Sequence, residues 1–141
     1  MGTMKLVSMG ASVAAAAVMV VALGAAPASA AVRVGTLVSG PNGACADTSA
    51  SNSHVTVCYQ ADGDYLYVKD GDNDGRSAYG YFTWGGEGRD ECRNPYGQGT
   101  WVRCNYDLVE GWRIMYQGYT QDNQGAINIK RDWTNEANEY S

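Results

Sequence analysis

Apolar and polar residues alternate along most of the chain after residue 30, and no segment there shows a convincing helical period. Alternation places successive side chains on opposite faces of an extended backbone, so it predicts half-buried β-strands. Clusters of Gly, Asn, Asp and Pro separate the runs, as turns require. The strands predicted in this way lie at residues 32–36, 54–59, 65–68, 77–84, 100–104, 112–117 and 127–130.

Short strands at this close spacing predict an all-β fold, a small antiparallel β-sandwich or barrel of about seven strands. Residues 134–141 are polar and are predicted to form a loose tail or a short terminal turn. The apolar residues are unusual, because the chain holds 10 Tyr, 4 Trp and 1 Phe. In so small a domain, we expect aromatic packing and disulfides to supply the stability that a large aliphatic core would provide.

Residues 1–30 have a different composition from the rest of the chain. Lys5 is their only charged residue, an apolar run rich in Ala and Val covers residues 6–26, and the small residues Pro-Ala-Ser-Ala follow at 27–30. This order is typical of a secretory signal peptide, with cleavage predicted after residue 30. An uncleaved membrane anchor is the alternative, but no basic stop-transfer cluster follows the run. We therefore predict a single extracellular domain at 31–141, with no membrane attachment after cleavage.

The net charge of the chain is −5 at pH 7, and it is one unit more negative without Lys5. Binding to nucleic acid requires a basic face that neutralises phosphates, so this charge argues against such a partner. It argues equally against attraction to anionic membranes. A modest negative charge also serves solubility and indicates no particular partner.

Four cysteines in a small exported chain predict two disulfides. They are Cys45, Cys58, Cys92 and Cys104. Of the three connectivities, we prefer Cys45–Cys58 with Cys92–Cys104, because each of these pairs brackets a turn-rich stretch. A zinc site is disfavoured, because the paired C-x-x-C spacings of such sites are missing.

The motif Asp-Gly-Asp-Asn-Asp-Gly at 70–75 resembles the start of an EF-hand calcium loop. Its carboxylates alternate as the first ligands of such a loop do, and its last glycine matches the turn glycine. The carboxylates are those of Asp70, Asp72 and Asp74. The bidentate acid that completes an EF-hand would fall at Tyr81, and no helices flank the motif, so it is not an EF-hand.

Two interpretations of the motif at 70–75 stay open. We predict an exposed hairpin loop between a strand that ends near Lys69 and one that begins near Ser77, because Asp, Asn and Gly are standard turn residues. Such a loop would bind calcium weakly or not at all. The alternative is a calcium loop between strands that takes its last ligand from another acidic residue.

Catalysis has little support in the sequence. The only histidine, His54, is predicted to be an outward strand residue beside a loop, and no G-x-S-x-G motif is present. A nucleophilic triad needs a base held against a Ser or Cys. Paired carboxylates could hydrolyse a glycosidic bond, but such sites usually need a deep cleft, for which this domain leaves little room. The sequence therefore predicts a protein that is not an enzyme and carries no cofactor, calcium excepted.

Aromatic residues and arginines are interleaved in the second half of the chain. Such residues anchor protein interfaces, so we predict a secreted or cell-surface protein as partner, with this chain acting as an accessory subunit or inhibitor. The predicted surface consists of Trp84, Trp101, Arg103, Trp112 and Arg113. The alternative is a carbohydrate-binding module, because exposed rings also stack on sugars.

Two stretches of the chain carry a family resemblance. The first runs through Cys58-Tyr59, Gly63-Asp64, Val68-Lys69-Asp70 and Asp74-Gly75-Arg76-Ser77-Ala78, and the second through Cys92-Arg93-Asn94, Gly97, Gly99-Thr100-Trp101, Cys104 and Glu110-Gly111. Together they resemble small exported actinobacterial proteins with two disulfides, a largely uncharacterised group. The resemblance implies secretion, a β fold and two disulfides, and it implies no activity.

Overall fold

The computed structural model of the protein describes residues 31–43, 45–46, 48–86, 88–122 and 129–141. The predicted signal peptide at 1–30 and residues 127–128 of the predicted strand at 127–130 lie outside these residues. Within the described part of the chain, no helix has the length and apolar character needed to cross a membrane.

The described residues form eleven strands in two packed sheets, so the fold is an all-β sandwich. Sheet A has the order β1-β7-β6-β9-β10, with β11 also paired to β9, and sheet B has the order β2-β8-β5-β4-β3. The strands are β1 Ala31–Val34, β2 Thr36–Val38, β3 Ala50–Ser51, β4 Val55–Gln60, β5 Tyr65–Asp70, β6 Arg76–Trp84, β7 Gly88–Asn94, β8 Trp101–Asn105, β9 Arg113–Asp122, β10 Lys130–Arg131 and β11 Ala137–Tyr140.

The sequence prediction of a β-sandwich is confirmed, but its details need correction. Sheet A is mixed, because β1 runs parallel to β7. Strand β7 was not predicted, because apolar and polar residues do not alternate along it. Its buried positions include the polar residues Asp90, Glu91 and Asn94. The prediction of a loose C-terminal tail is wrong for β11, which pairs with β9 through the register Ala137↔Tyr116.

The two sheets approach each other closely where two glycines face the core. Gly80 of β6 and Gly118 of β9 are register partners in the centre of sheet A. A Cβ on Gly80 would lie 2.7 Å from Val68 Cγ2, and a Cβ on Gly118 would lie 2.9 Å from both γ-carbons of Val55. The valines of sheet B therefore pack directly on the backbone of sheet A, which an alanine at either glycine would prevent.

The disulfides join Cys45 to Cys58 and Cys92 to Cys104, with Cα–Cα distances of 5.2 and 5.9 Å. These are the pairings preferred from the sequence, but the second does not close a local hairpin. Cys92 lies on β7 of sheet A and Cys104 on β8 of sheet B, and both are buried in the core. This disulfide therefore ties the two sheets together.

The N-terminal segment contributes one strand to each sheet. Strand β1 pairs with β7 in sheet A, and β2 pairs with β8 in sheet B. Gly35 lies between them, donates its N–H to the carbonyl of Arg93 at 2.9 Å, and is buried. A Cβ there would lie 2.6 Å from Val102 Cγ2, so the crossing requires glycine.

Candidate functional site

The motif at 70–75 connects the two sheets and is not the turn of a hairpin. Strand β5, which ends at Asp70, belongs to sheet B, whereas β6, which begins at Arg76, belongs to sheet A. The hairpin prediction is therefore wrong, because the strands on either side of the motif pair with other partners. We call residues 71–75 the crossover.

The sequence interpretation expected Asp70 to be exposed with the rest of the motif, but Asp70 is buried. Its exposed fraction is 2 %, and only Asn73, Asp74 and Gly75 in the motif are exposed, with the side chain of Asp74 itself 19 % exposed. Its Oδ1 accepts a hydrogen bond from the Asp72 N–H at 3.1 Å, while its Oδ2 has no hydrogen-bond partner within the described residues. Burial raises the pKa of Asp70, the Asp72 N–H opposes this, and the carboxylates of Asp74 and Asp72 raise the pKa further.

The crossover brings two of its carboxylates to the only histidine of the chain. His54 Nδ1 lies 2.7 Å from Asp72 Oδ2. His54, Asp72 and Asp74 each offer one ligand atom, and these three atoms lie within 4.8 Å of one another. The sequence analysis placed His54 on a strand and missed this group, because the contact joins two loops that are distant along the chain.

A single arginine links this group to neighbouring carboxylates. Arg76 contacts Asp74 at 3.2 Å, Asp122 at 3.2 Å and Asp132 at 3.0 Å. The pKa of Asp132 is lowered, chiefly by the hydrogen bond that Thr120 donates to it. One guanidinium thus serves several carboxylates, and the region around the crossover keeps an excess of negative charge.

The outward side chains of β5 and β8 form a second candidate site on sheet B. Lys69 Nζ lies 5.8 Å from the centroid of the Trp101 ring, and the Arg103 guanidinium lies 4.2 Å from that of Tyr65. All four side chains are half-buried. Lys69 and Trp101 are direct cross-strand partners in the register, so the pleat of the sheet places their side chains on one face.

The Cys45–Cys58 disulfide borders this face. Cys58 lies on the outward side of β4, opposite Tyr67 of β5, and both are buried. Cys45 is therefore bonded to the outward side of β4, while the rings and cations of β5 and β8 remain half-buried. The only acidic residue in the strands of sheet B is Asp70, which points inward, so the outer strand positions carry positive charge alone.

The five residues of the predicted binding surface lie in different parts of the sandwich. Trp101 and Arg103 share the outer face of sheet B. Trp84 packs against the core and stacks on Phe82, with ring centroids 4.9 Å apart. Trp112, whose ring lies against Gly85, and Arg113 are exposed at the start of β9 in the other sheet.

Sequence reasoning also missed the partners of Trp101 and Arg103. The alternation of Tyr65, Tyr67 and Lys69 indicates that these side chains share one face of a strand. It does not reveal that this strand lies beside β8, because that pairing is non-local. The alternation within each strand indicates which side chains share a face, but it does not identify the adjacent strand in the sheet.

The outer face of sheet A contains a comparable set of rings, but these are covered. Residues 129–134, which we call the cover segment, run alongside β9, pair with it through β10, and place Lys130 and Trp133 over the face. Lys130 Nζ lies 4.5 Å from the centroid of the Tyr119 ring and forms an ion pair with Glu91. Tyr119 lies beneath this segment and stacks on Tyr79 at 4.9 Å, and both rings are buried.

Comparisons with protein-family models, with curated proteins and with solved structures found no match to this chain. The geometry of the two candidate sites is therefore the basis for the functional conclusions that follow.

Proposed function

We propose that this chain is an exported, non-enzymatic binding protein that docks another secreted or cell-surface protein through the outer face of sheet B. The proposal rests on one observation, the pairing of each cation on this face with an aromatic ring: Lys69 with Trp101, and Arg103 with Tyr65. Trp, Tyr and Arg carry most of the binding energy at protein interfaces. Held against rings, these cations lose less side-chain entropy on binding.

The same contacts favour a protein over a carbohydrate. A sugar stacks on a free ring face, but Arg103 covers a face of Tyr65, and Gly63 lies so close to this ring that a Cβ there would be 2.5 Å from Cε2. Tyr67, the third aromatic residue of β5, is buried. The face therefore offers charged groups over apolar stems, which suits the acidic and apolar side chains of a protein partner.

The export of the chain belongs to the same proposal. Two disulfides are typical of proteins that fold in an oxidising compartment. The leader-like composition of residues 1–30 and the resemblance to small exported actinobacterial proteins support the same location. A role as an accessory subunit or inhibitor fits a rigid domain with one open face.

The test is capture of a partner from the culture supernatant of the producing organism by the immobilised protein. Trp101→Ala and Arg103→Gln alter the proposed face. Trp112→Ala and Arg113→Gln are matched controls, because they make the same chemical changes on residues of the other sheet. We expect a stoichiometric protein partner that the wild type and both controls retain, and that both sheet B variants lose.

Two results would contradict the proposal. Equal retention by all four variants would place the interface elsewhere. Binding of the chain to an insoluble polysaccharide, with loss of this binding in Trp101→Ala, would identify a carbohydrate-binding module instead.

A further inference from the structure

The group formed by His54, Asp72 and Asp74 has no role in the proposed docking face. His54 precedes β4, and the two aspartates lie in the crossover. The side chains of His54 and Asp72 are 33 % and 41 % exposed, so an ion from solvent can reach them. A ring nitrogen and two carboxylate oxygens lie within 4.8 Å of one another, close enough for small side-chain rotations to bring all three around one metal ion.

The backbone on both sides of this group is fixed before any ion binds. Asn52 Oδ1 accepts hydrogen bonds from the N–H groups of His54 and Val55, at 2.8 and 2.9 Å. Gly71 donates its N–H to the carbonyl of His54 at 2.8 Å, and a Cβ on Gly71 would lie 2.7 Å from Ser53 O. The glycine thus permits the close approach of the two loops that carry the ligands.

Asp70 supplies a separate sign that the crossover is short of cations. Asp70 is 2 % exposed, its Oδ1 accepts a hydrogen bond from the Asp72 N–H of the crossover, and its Oδ2 has no partner among the described residues. A buried carboxylate oxygen without a partner is costly unless a cation lies nearby. Arg76 does not supply this charge, because its contacts are with Asp74, Asp122 and Asp132.

We propose that His54, Asp72 and Asp74 bind a divalent transition-metal cation, for which Zn²⁺ is the appropriate probe. Calcium takes oxygen ligands, whereas imidazole nitrogen beside carboxylates is a ligand set typical of zinc and its neighbours in the first transition row. His54 Nδ1 and one oxygen each of Asp72 and Asp74 bind the ion, and water completes the shell. Asp70 acts from behind the ligands by adding negative charge. The site thus differs from the calcium loop that the motif at 70–75 suggested.

The experiment is a calorimetric zinc titration of the purified protein without a histidine tag. We expect one Zn²⁺ per chain, and at least about tenfold weaker binding for His54→Gln and for Asp72→Asn. Asp107→Asn is the matched control, because it removes the same charge from an exposed loop residue and should bind zinc as the wild type does. Circular dichroism verifies that each variant is folded.

A second readout needs no substitution. His54 is the only histidine, so its ring nitrogens give one set of NMR signals, and zinc should shift the Nδ1 resonance. The proposal fails if zinc does not bind at concentrations up to about 10⁻³ M, the weak end of extracellular metal sites. It also fails if the Nδ1 resonance stays in place at saturation, or if calcium binds more tightly than zinc and His54→Gln leaves that binding unchanged.

Discussion

The outer faces of sheets A and B are both built from aromatic rings and basic side chains, and they differ in what lies over them. On sheet A, the cover segment places Lys130 and Trp133 over Tyr119, whose exposed fraction is 0 %. On sheet B, the rings of Tyr65 and Trp101 stay half-buried beside their cations. The same residue types thus complete a core on one side and leave an accessible surface on the other.

This difference shows why aromatic composition alone could not locate a site. A cation over a ring contributes to folding when a carboxylate pairs with it, as Glu91 pairs with Lys130 over the Tyr119 ring. It remains available to a partner when no carboxylate pairs with it, and within the described residues Arg103 lies over the Tyr65 ring without an ion pair. Four substitutions, two of them with a matched change on the other face, test the contrast between the two faces.

The largest effect is expected on the covered face. Tyr119→Ala removes a fully buried ring and should lower the free energy of unfolding by about 3–5 kcal/mol, the cost typical of large-to-small changes in a core. Tyr65→Ala, the matched change on sheet B, should cost no more than about 2 kcal/mol, because its ring is half-buried. Urea denaturation measures both, and equal losses would show that the faces do not differ.

The next effect concerns the ion pair on sheet A. Lys130→Met keeps the apolar stem but leaves Glu91, whose side chain is 7 % exposed, without its partner cation. We expect a loss of about 2 kcal/mol, less than for a fully buried pair, because the Lys130 side chain is 38 % exposed. Lys69→Met on sheet B is the control. A similar loss for Lys69→Met in the same denaturation experiment would contradict the assignment of an open face.

The attachment of the cover segment gives a smaller, pH-dependent effect. Thr120 Oγ1 donates to Asp132 Oδ2 at 2.6 Å, the main reason that the pKa of Asp132 is lowered. Stabilisation by a lowered carboxyl pKa is present above the unfolded value of about 3.9 and is lost as the pH falls through the folded value. Thr120→Val should therefore cost about 1 kcal/mol at neutral pH.

That cost should shrink as Asp132 becomes protonated in acid. The measurement is thermal unfolding of both proteins from neutral pH down to well below the unfolded pKa. A difference that stays constant across this range would show that Thr120 acts through packing rather than through the Asp132 carboxylate.

The smallest effect on stability is expected on the open face. Arg103→Gln should change the free energy of unfolding by no more than about 0.5 kcal/mol, because this side chain covers a ring that is already half-exposed. Its effect should appear instead in partner binding. A loss of stability as large as that of Lys130→Met would mean that Arg103 belongs to the structural core.

The sequence predicted those features that depend on local pattern. Strands β4, β5 and β6 follow from the alternation around Val57, Tyr67 and Tyr81, because one face of each strand is apolar. Strand β7 could not be recognised, since the charges of Asp90 and Glu91 are buried against Arg33 and Lys130 from other strands. When a buried charge pairs with a residue from a distant segment, the strand no longer alternates between apolar and polar residues. The sequence analysis depends on that alternation.

The candidate sites were predictable only in part for a related reason. The residues that form them were singled out from composition, as Trp101, Arg103 and Asp72 were, but their neighbours were not. His54 and Asp72 meet because the crossover passes from sheet B to sheet A, and turn residues permit either a hairpin or such a crossing. Which one forms is decided by strand pairing across the whole sandwich.

The division of the N-terminal segment between both sheets has a consequence for the order in which the domain folds. Ala31 pairs with Asp90 and Thr36 with Arg103, so both pairings close long loops and carry a large entropic cost early in folding. The strands that receive this segment, β7 and β8, are joined by Cys92–Cys104. Formation of this disulfide therefore holds β7 and β8 together before the N-terminal segment pairs with them. We expect this segment to dock last in folding. In a reducing medium, we expect its amide hydrogens to exchange first.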